Sequence, residues 1–206
     1  MRQTFFILTF ILSNFLCFGQ TQYLEPVRDF KQYEGVLKEY YDNVFPLLYK
    51  GYTEKPIARY TSMPSFSMEY SFSLETIDGK NYIVSNRMSE NFWYAKKRKK
   101  VKLISNKTLL SNDLHIKIVE LFKIIEQQTK KPEEEVMGLD GVTYYFATTD
   151  KNGLVKTGET WSPDDNSLLA KLVSICDNIY SLRNGNKMSQ IEISQNIDKL
   201  IFDLMQ

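Results

Sequence analysis

Histidine and cysteine are almost missing from this chain, and their scarcity removes whole classes of chemistry. His115 is the single histidine, so a histidine-rich metal centre is excluded. It sits one place from the apolar stripe of its helix and reads as a boundary residue rather than a ligand or base. There is no glycine-rich phosphate loop, no Gly-x-Ser-x-Gly elbow, and neither zinc-ligand nor calcium-loop spacing. No metal and no cofactor is therefore expected. No fixed-period repeat or low-complexity tract is present, and no apolar run approaches the ~20 residues of a membrane span.

Charge of one sign is lacking too. Lysine and arginine number 26 against 25 aspartate and glutamate, a net of +1. Nothing global draws such a chain to nucleic acid or an acidic membrane, and no nucleic-acid partner is expected.

The first residues are what the sequence does have. Arg2 precedes an apolar run from Phe5 to Phe18, and Gly19-Gln20 follows. A short basic start, an apolar stretch of about 14 residues and a small residue at the cut make a secretory signal. The expected cleavage lies near Gly19/Gln20, which places the mature protein in the periplasm or outside the cell. Leu16 is too bulky for a lipobox, which argues against lipidation at Cys17. Removal of residues 1–19 takes Arg2 and Cys17 away, so residues 20–206 form one domain with zero net charge, no transmembrane segment and the single cysteine Cys176. No internal disulfide is then possible, and stability must come from the core. Cys176 shares a helical face with Leu168, Leu172, Ile175 and Ile179, the setting of a buried core residue.

Hydrophobic periodicity predicts the elements. Phe30, Tyr33, Leu37, Tyr40, Val44 and Leu48 mark an amphipathic helix over 26–50, with Pro46 expected to kink or stop it. A β-rich stretch follows over 57–108. Within it Met68, Tyr70, Phe72 and Leu74 alternate with Glu69, Ser71, Ser73 and Glu75, the period of a strand with one buried face. Asp78-Gly79 supplies the hairpin turn and Tyr82–Ser85 the returning strand. Further strands are expected at Phe92-Trp93-Tyr94 and Val101–Ile104. Leu114–Gln128 is a second helix with Ser111 or Asn112 as cap. A second hairpin spans Val142–Trp161, and Ser162-Pro163-Asp164-Asp165 reads as the start of the third helix, closed by Asn184-Gly185. Ser189 and Glu192 form the capping box of the fourth. The order predicts an α+β fold: an antiparallel sheet built from hairpins, with about four helices packed on one face.

Leu139-Asp140-Gly141-Val142-Thr143-Tyr144-Tyr145-Phe146, followed by Trp161-Ser162-Pro163, resembles a pattern of uncharacterised bacterial secreted proteins. In that pattern a hairpin opens with Asp-Gly, carries an aromatic strand and ends in Trp-Ser-Pro leading into a helix. The resemblance covers about 25 residues and implies a bacterial envelope protein; it brings no activity with it.

Two features stand out as sites. One is the aromatic set Trp93, Tyr94, Tyr144, Tyr145 and Trp161, able to give hydrophobic contact with polar handles; the competing role for each is core packing. The other is the basic run Lys96, Lys97, Arg98, Lys99 and Lys100, extended by Lys102, suited to an anionic surface or glycan, or to no more than a solvated loop beside a charged edge strand. Asp140, Asp150, Asp164 and Asp165 have local work at turns and helix starts. The primary expectation is thus a non-enzymatic binding module for a protein, glycan or small ligand of the cell envelope. The alternatives are a hydrolase using dispersed carboxylates with tyrosine or His115, and an electrostatic binder through 96–102.

Overall fold

The computed structural model describes residues 23–131, 140–182 and 188–206. Residues 1–22, which hold the expected signal segment, and the expected helix end at Asn184-Gly185 lie outside them. Alternating strands and periodic helices assemble into one antiparallel sheet with helices on both of its faces. The strands are β1 (Arg59–Pro64), β2 (Tyr70–Ile77), β3 (Lys80–Met88), β4 (Leu103–Leu109), β5 (Val142–Thr149) and β6 (Val155–Trp161), in the order β4-β3-β2-β1-β5-β6. The first four form a meander. Helix α2 (Asn112–Gln127) then carries the chain back to lay the β5–β6 hairpin beside β1. The class is α+β.

One sheet face is apolar. Tyr60, Phe72, Leu74, Ile83 and Phe146 project from it into a core closed by α2, α3 (Leu168–Ser181) and α4 (Gln190–Leu204). The apolar stripe of α2 is buried in full: Leu114, Ile118, Leu121, Phe122 and Ile125. Cys176 is buried in the same core, and burial pushes its thiol well above the ordinary range, which disfavours the reactive thiolate. Ion pairs between these helices, Lys117–Asp198 and Lys171–Asp203, are exposed. Such exposed, solvent-screened pairs add little, so apolar packing carries the docking.

The alternation in β2 was expected to mark a single buried face, with the polar residues in solvent. Instead Glu69, Ser71 and Ser73 are as buried as the apolar set. Helix α1 (Gly35–Leu48) covers them, on the face opposite the other three helices. The sequence rule fails here because solvent is not the only place that satisfies a serine: the covering segment supplies tyrosine hydroxyls and backbone carbonyls. Tyr49 Oη and Thr61 Oγ1 are 2.9 Å apart. Tyr52 donates to the Ser71 carbonyl at 3.1 Å. Asn86 Nδ2 donates to the Leu48 carbonyl at 2.6 Å, meeting a carbonyl that the helix C-terminus leaves open.

Other boundaries also depart from expectation. The helix predicted over 26–50 begins at Gly35, because Gly35 adopts φ +58 and separates α1 from a short 3-10 turn at Phe30–Gln32. It runs two residues past Pro46. Residues 92–94 are turn rather than strand, since the Phe92 amide is taken by the buried Glu69 carboxylate at 2.9 Å. Helix α3 starts at Leu168 with Ser167 as its cap, not at Ser162. The Ser162 hydroxyl instead accepts from the Val142 amide across the hairpin, and Asp164 forms a turn with Asn166 before the helix opens. The Asp78-Gly79 turn has both residues at positive φ as required, and the capping box at Ser189 and Glu192 is complete.

Before α1, the chain crosses the sheet edge. Leu24 is buried in the three-helix core, Glu25 exchanges backbone hydrogen bonds with Glu159 of β6 at 2.8 and 2.7 Å, and Phe30 packs on the α1 side. The crossing needs Gly158. A Cβ there would lie 2.9 Å from both Leu24 Cβ and Cδ1. Gly158→Ala is therefore expected to destabilise the fold by about 1–3 kcal/mol, the cost of overpacking, as a lower urea midpoint with an unchanged slope.

Candidate functional site

Helix α1 lies over β1–β3, and the β5–β6 half of that face is only partly covered. The uncovered part is a cleft of about 460 Å³. Its walls come from three places: the segment before α1 (Arg28, Tyr33), α1 itself (Leu37, Tyr40, Tyr41), and the sheet with its loops (Trp93, Tyr94, Tyr145, Glu159, Trp161). Odd-numbered residues of β5 and β6 face this side, so Tyr145 and Glu159, paired in register, present their side chains together.

Rings dominate the surface. Tyr33 stacks on Tyr41 at 5.3 Å, Tyr41 meets Tyr40 edge-on at 5.1 Å, and Trp93 meets Tyr40 edge-on at 5.2 Å. Tyr94 stacks on the exposed Phe66 at the rim. Burial raises the Tyr41 and Tyr145 phenols above their ordinary pKa. They stay protonated at neutral pH, as donors rather than bases. Glu159 is the buried carboxylate of the cleft. Burial pushes its pKa up, while the Arg28 amide at 3.4 Å and the Arg28 guanidinium at 3.5 Å pull it back.

Trp93, Tyr94, Tyr145 and Trp161 of the predicted aromatic set thus share one cleft. Tyr144 does not: it points through the other face, near Ser162, Asp165 and Asp177. Lys96, Lys97, Lys99 and Lys100 are exposed on a turn that leads to edge strand β4, and none lines the cleft. Arg98 bends back to Glu39 at 3.4 Å and to the Trp93 carbonyl at 3.4 Å, bracing the Trp93 wall. Asp140 reaches the cleft rim. Asp150 caps its own turn through the Asn152 and Leu154 amides.

Sequence reasoning missed Arg28, Tyr33, Tyr41 and Glu159. Polar residues flanking Gly158 on a predicted hairpin gave no sign that the chain start would cross there. Asp177 was missed as well. It stands on α3 behind the sheet, where Tyr60 and Tyr70 donate to its Oδ1 at 2.8 and 2.6 Å. Among the described residues the two carboxylates whose pKa is raised, Glu159 and Asp177, lie on opposite sides of the sheet. They cannot act on one substrate, and no group of three or more His, Cys, Asp or Glu among the described residues is placed to hold a metal. No described helix is long and apolar enough to cross a membrane.

Comparison with protein-family models, with curated proteins and with solved structures returned no match. The functional reading therefore rests on the cleft.

Burial raises the Asp177 pKa more than its two tyrosine donors lower it. Its contribution to stability is full below the ordinary carboxylate range and is lost as pH rises through the folded value, so at pH 7 the ionised group is a net cost. Asp177→Asn keeps the Oδ1 acceptor. Relative to the native chain it is expected to gain stability as pH rises above the ordinary carboxylate range, and to level off once pH passes the raised folded value, in urea midpoints measured across pH.

Proposed function

We propose that this protein is a non-catalytic binding module acting outside the cytosol, and that its ligand occupies the aromatic cleft between α1 and the β5–β6 hairpin. The observation that carries the reading is the make-up of that cleft. Several aromatic rings, some exposed, surround a single Arg28–Glu159 pair and a few hydroxyls in about 460 Å³. That is the size and polarity of a small-ligand site, mostly apolar with a few placed polar groups. Ring faces stack on the C–H faces of a saccharide, while Glu159, Asp140 and the tyrosine hydroxyls bond its hydroxyl groups. A neutral glycan of the cell envelope fits this chemistry best, and the near-neutral net charge supports it. The signal-like residues 1–19 support export to the periplasm or beyond.

Catalysis by dispersed carboxylates is the weaker reading, because the two perturbed acids are separated by the sheet. An electrostatic site at Lys96–Lys100 is weaker also, because those lysines converge on no hollow.

Both tryptophans of the chain, Trp93 and Trp161, line the cleft. Titration with soluble cell-envelope oligosaccharides is therefore expected to change intrinsic tryptophan emission. Trp161→Ala, at a side chain 40% exposed, is expected to weaken binding about tenfold or more with little change in melting temperature. Unchanged affinity, or a collapse in melting temperature, would assign Trp161 to packing instead.

A further inference from the structure

A second hollow lies on the same sheet face, and its chemistry differs from that of the aromatic cleft. Arg59 opens β1 at an odd-numbered position, so it faces the α1 side like Thr61 and Met63. Its guanidinium carbon lies 4.5 Å from the Tyr49 ring centre and 5.4 Å from that of Tyr52. One terminal nitrogen donates to the Thr53 carbonyl. The Nε–H is buried and has no hydrogen-bond partner. Among the described residues no carboxylate comes within ion-pair distance of Arg59. Glu75 stands nearby, but its Oε1 accepts from the Thr53 amide and the Ser73 hydroxyl.

Beside this guanidinium is a hollow of about 260 Å³ whose walls include Val27, Phe30, Phe45, Tyr145 and Val155. Among the described residues Arg59 is the one charged group lining it. Arg59 is partly buried, with its Nε–H enclosed and unpartnered, and a guanidinium held against apolar walls is stabilised when an anion pairs with it. A carboxylate is the natural complement to the planar guanidinium, accepting two parallel hydrogen bonds. The apolar walls then call for an apolar tail. At ~30 Å³ per water-sized group the hollow holds roughly nine such groups.

We propose that this hollow binds a small monocarboxylate with an apolar tail of medium-chain length, its head on Arg59 and its tail against Phe30, Phe45 and Val155. Ring stacking on Tyr49 and Tyr52 holds the guanidinium in place before the ligand arrives, so little side-chain entropy is lost on binding. Tyr145 lines both hollows, but the Arg59 site stands independently of the glycan reading.

Octanoate, with about ten heavy atoms, is the probe. Calorimetric titration of the purified protein is expected to show octanoate binding, with 1-octanol and octylamine about tenfold weaker or worse. Arg59→Gln is expected to reduce octanoate affinity by about tenfold or more and to leave 1-octanol unaffected. Val155→Trp, on an edge strand and partly exposed, adds bulk to the hollow while leaving the Arg59 side chain in the sequence, and is expected to abolish binding of both. It carries the test if Arg59→Gln does not fold. Trp161→Ala, in the other cleft, is expected to leave octanoate affinity unchanged, which separates this proposal from the first. Absence of octanoate binding would overturn it. So would equal affinity for octanoate and 1-octanol, or octanoate binding that survives Val155→Trp.

Discussion

A hydrogen bond from the Tyr40 hydroxyl to the buried carboxylate of Glu69, 2.8 Å long, holds together much of what is distinctive on the α1 side of the sheet. Glu69 is fully buried beside the sheet, and its two oxygens also receive the Phe92 amide at 3.1 and 2.9 Å. A carboxylate in that position is tolerable only when its lone pairs are met. Tyr40 comes from α1 and Phe92 from the loop after β3, so one side chain fastens a helix and a loop to the sheet. The same principle recurs along the face: Thr61, Ser71 and Asn86 are each met by a group from α1 or the turn beyond it.

This mode of attachment shapes the surface. A helix held by specific hydrogen bonds over β1–β3 has a fixed position, and its tyrosines stand where the sheet's polar groups require them. The helix does not spread over β5 and β6. The segment before it, pinned to β6 by the Glu25–Glu159 pair, covers that half incompletely. Both hollows are consequences of the incomplete cover. The three-helix face, by contrast, is closed mainly by apolar packing, and among the described residues the hollow of about 420 Å³ beside Asp177 carries one aromatic ring, Tyr144.

Legibility in the sequence followed the same division. Where burial meant apolar burial, periodicity was sufficient: the apolar face around Cys176 in α3, both hairpins and the class of fold could be read directly. Alternation in β2 correctly separated Tyr70, Phe72 and Leu74 from Ser71 and Ser73, yet it said nothing of what would cover the serines. Ser162-Pro163-Asp164-Asp165 carried a strong capping pattern but lies between the hairpin and the true cap at Ser167, because the Ser162 hydroxyl is engaged across the strands. The aromatic residues Trp93, Tyr94, Tyr145 and Trp161 were visible as a group. Tyr144 belongs to the opposite face by its even register, which strand period alone would separate from Tyr145. Arg28, Arg59 and Glu159 gave no local signal, since each acquires its setting from a segment distant in sequence.

Whether buried hydrogen bonding fastens α1 to the sheet is tested most directly by a double-mutant cycle on Tyr40→Phe and Glu69→Gln, read as unfolding free energies in urea. Direct coupling predicts an interaction energy of about 1 kcal/mol or more between the two sites. Additivity within about 0.3–0.5 kcal/mol would contradict it, and would leave the apolar contacts of Val44 and Leu48 as what holds the helix in place.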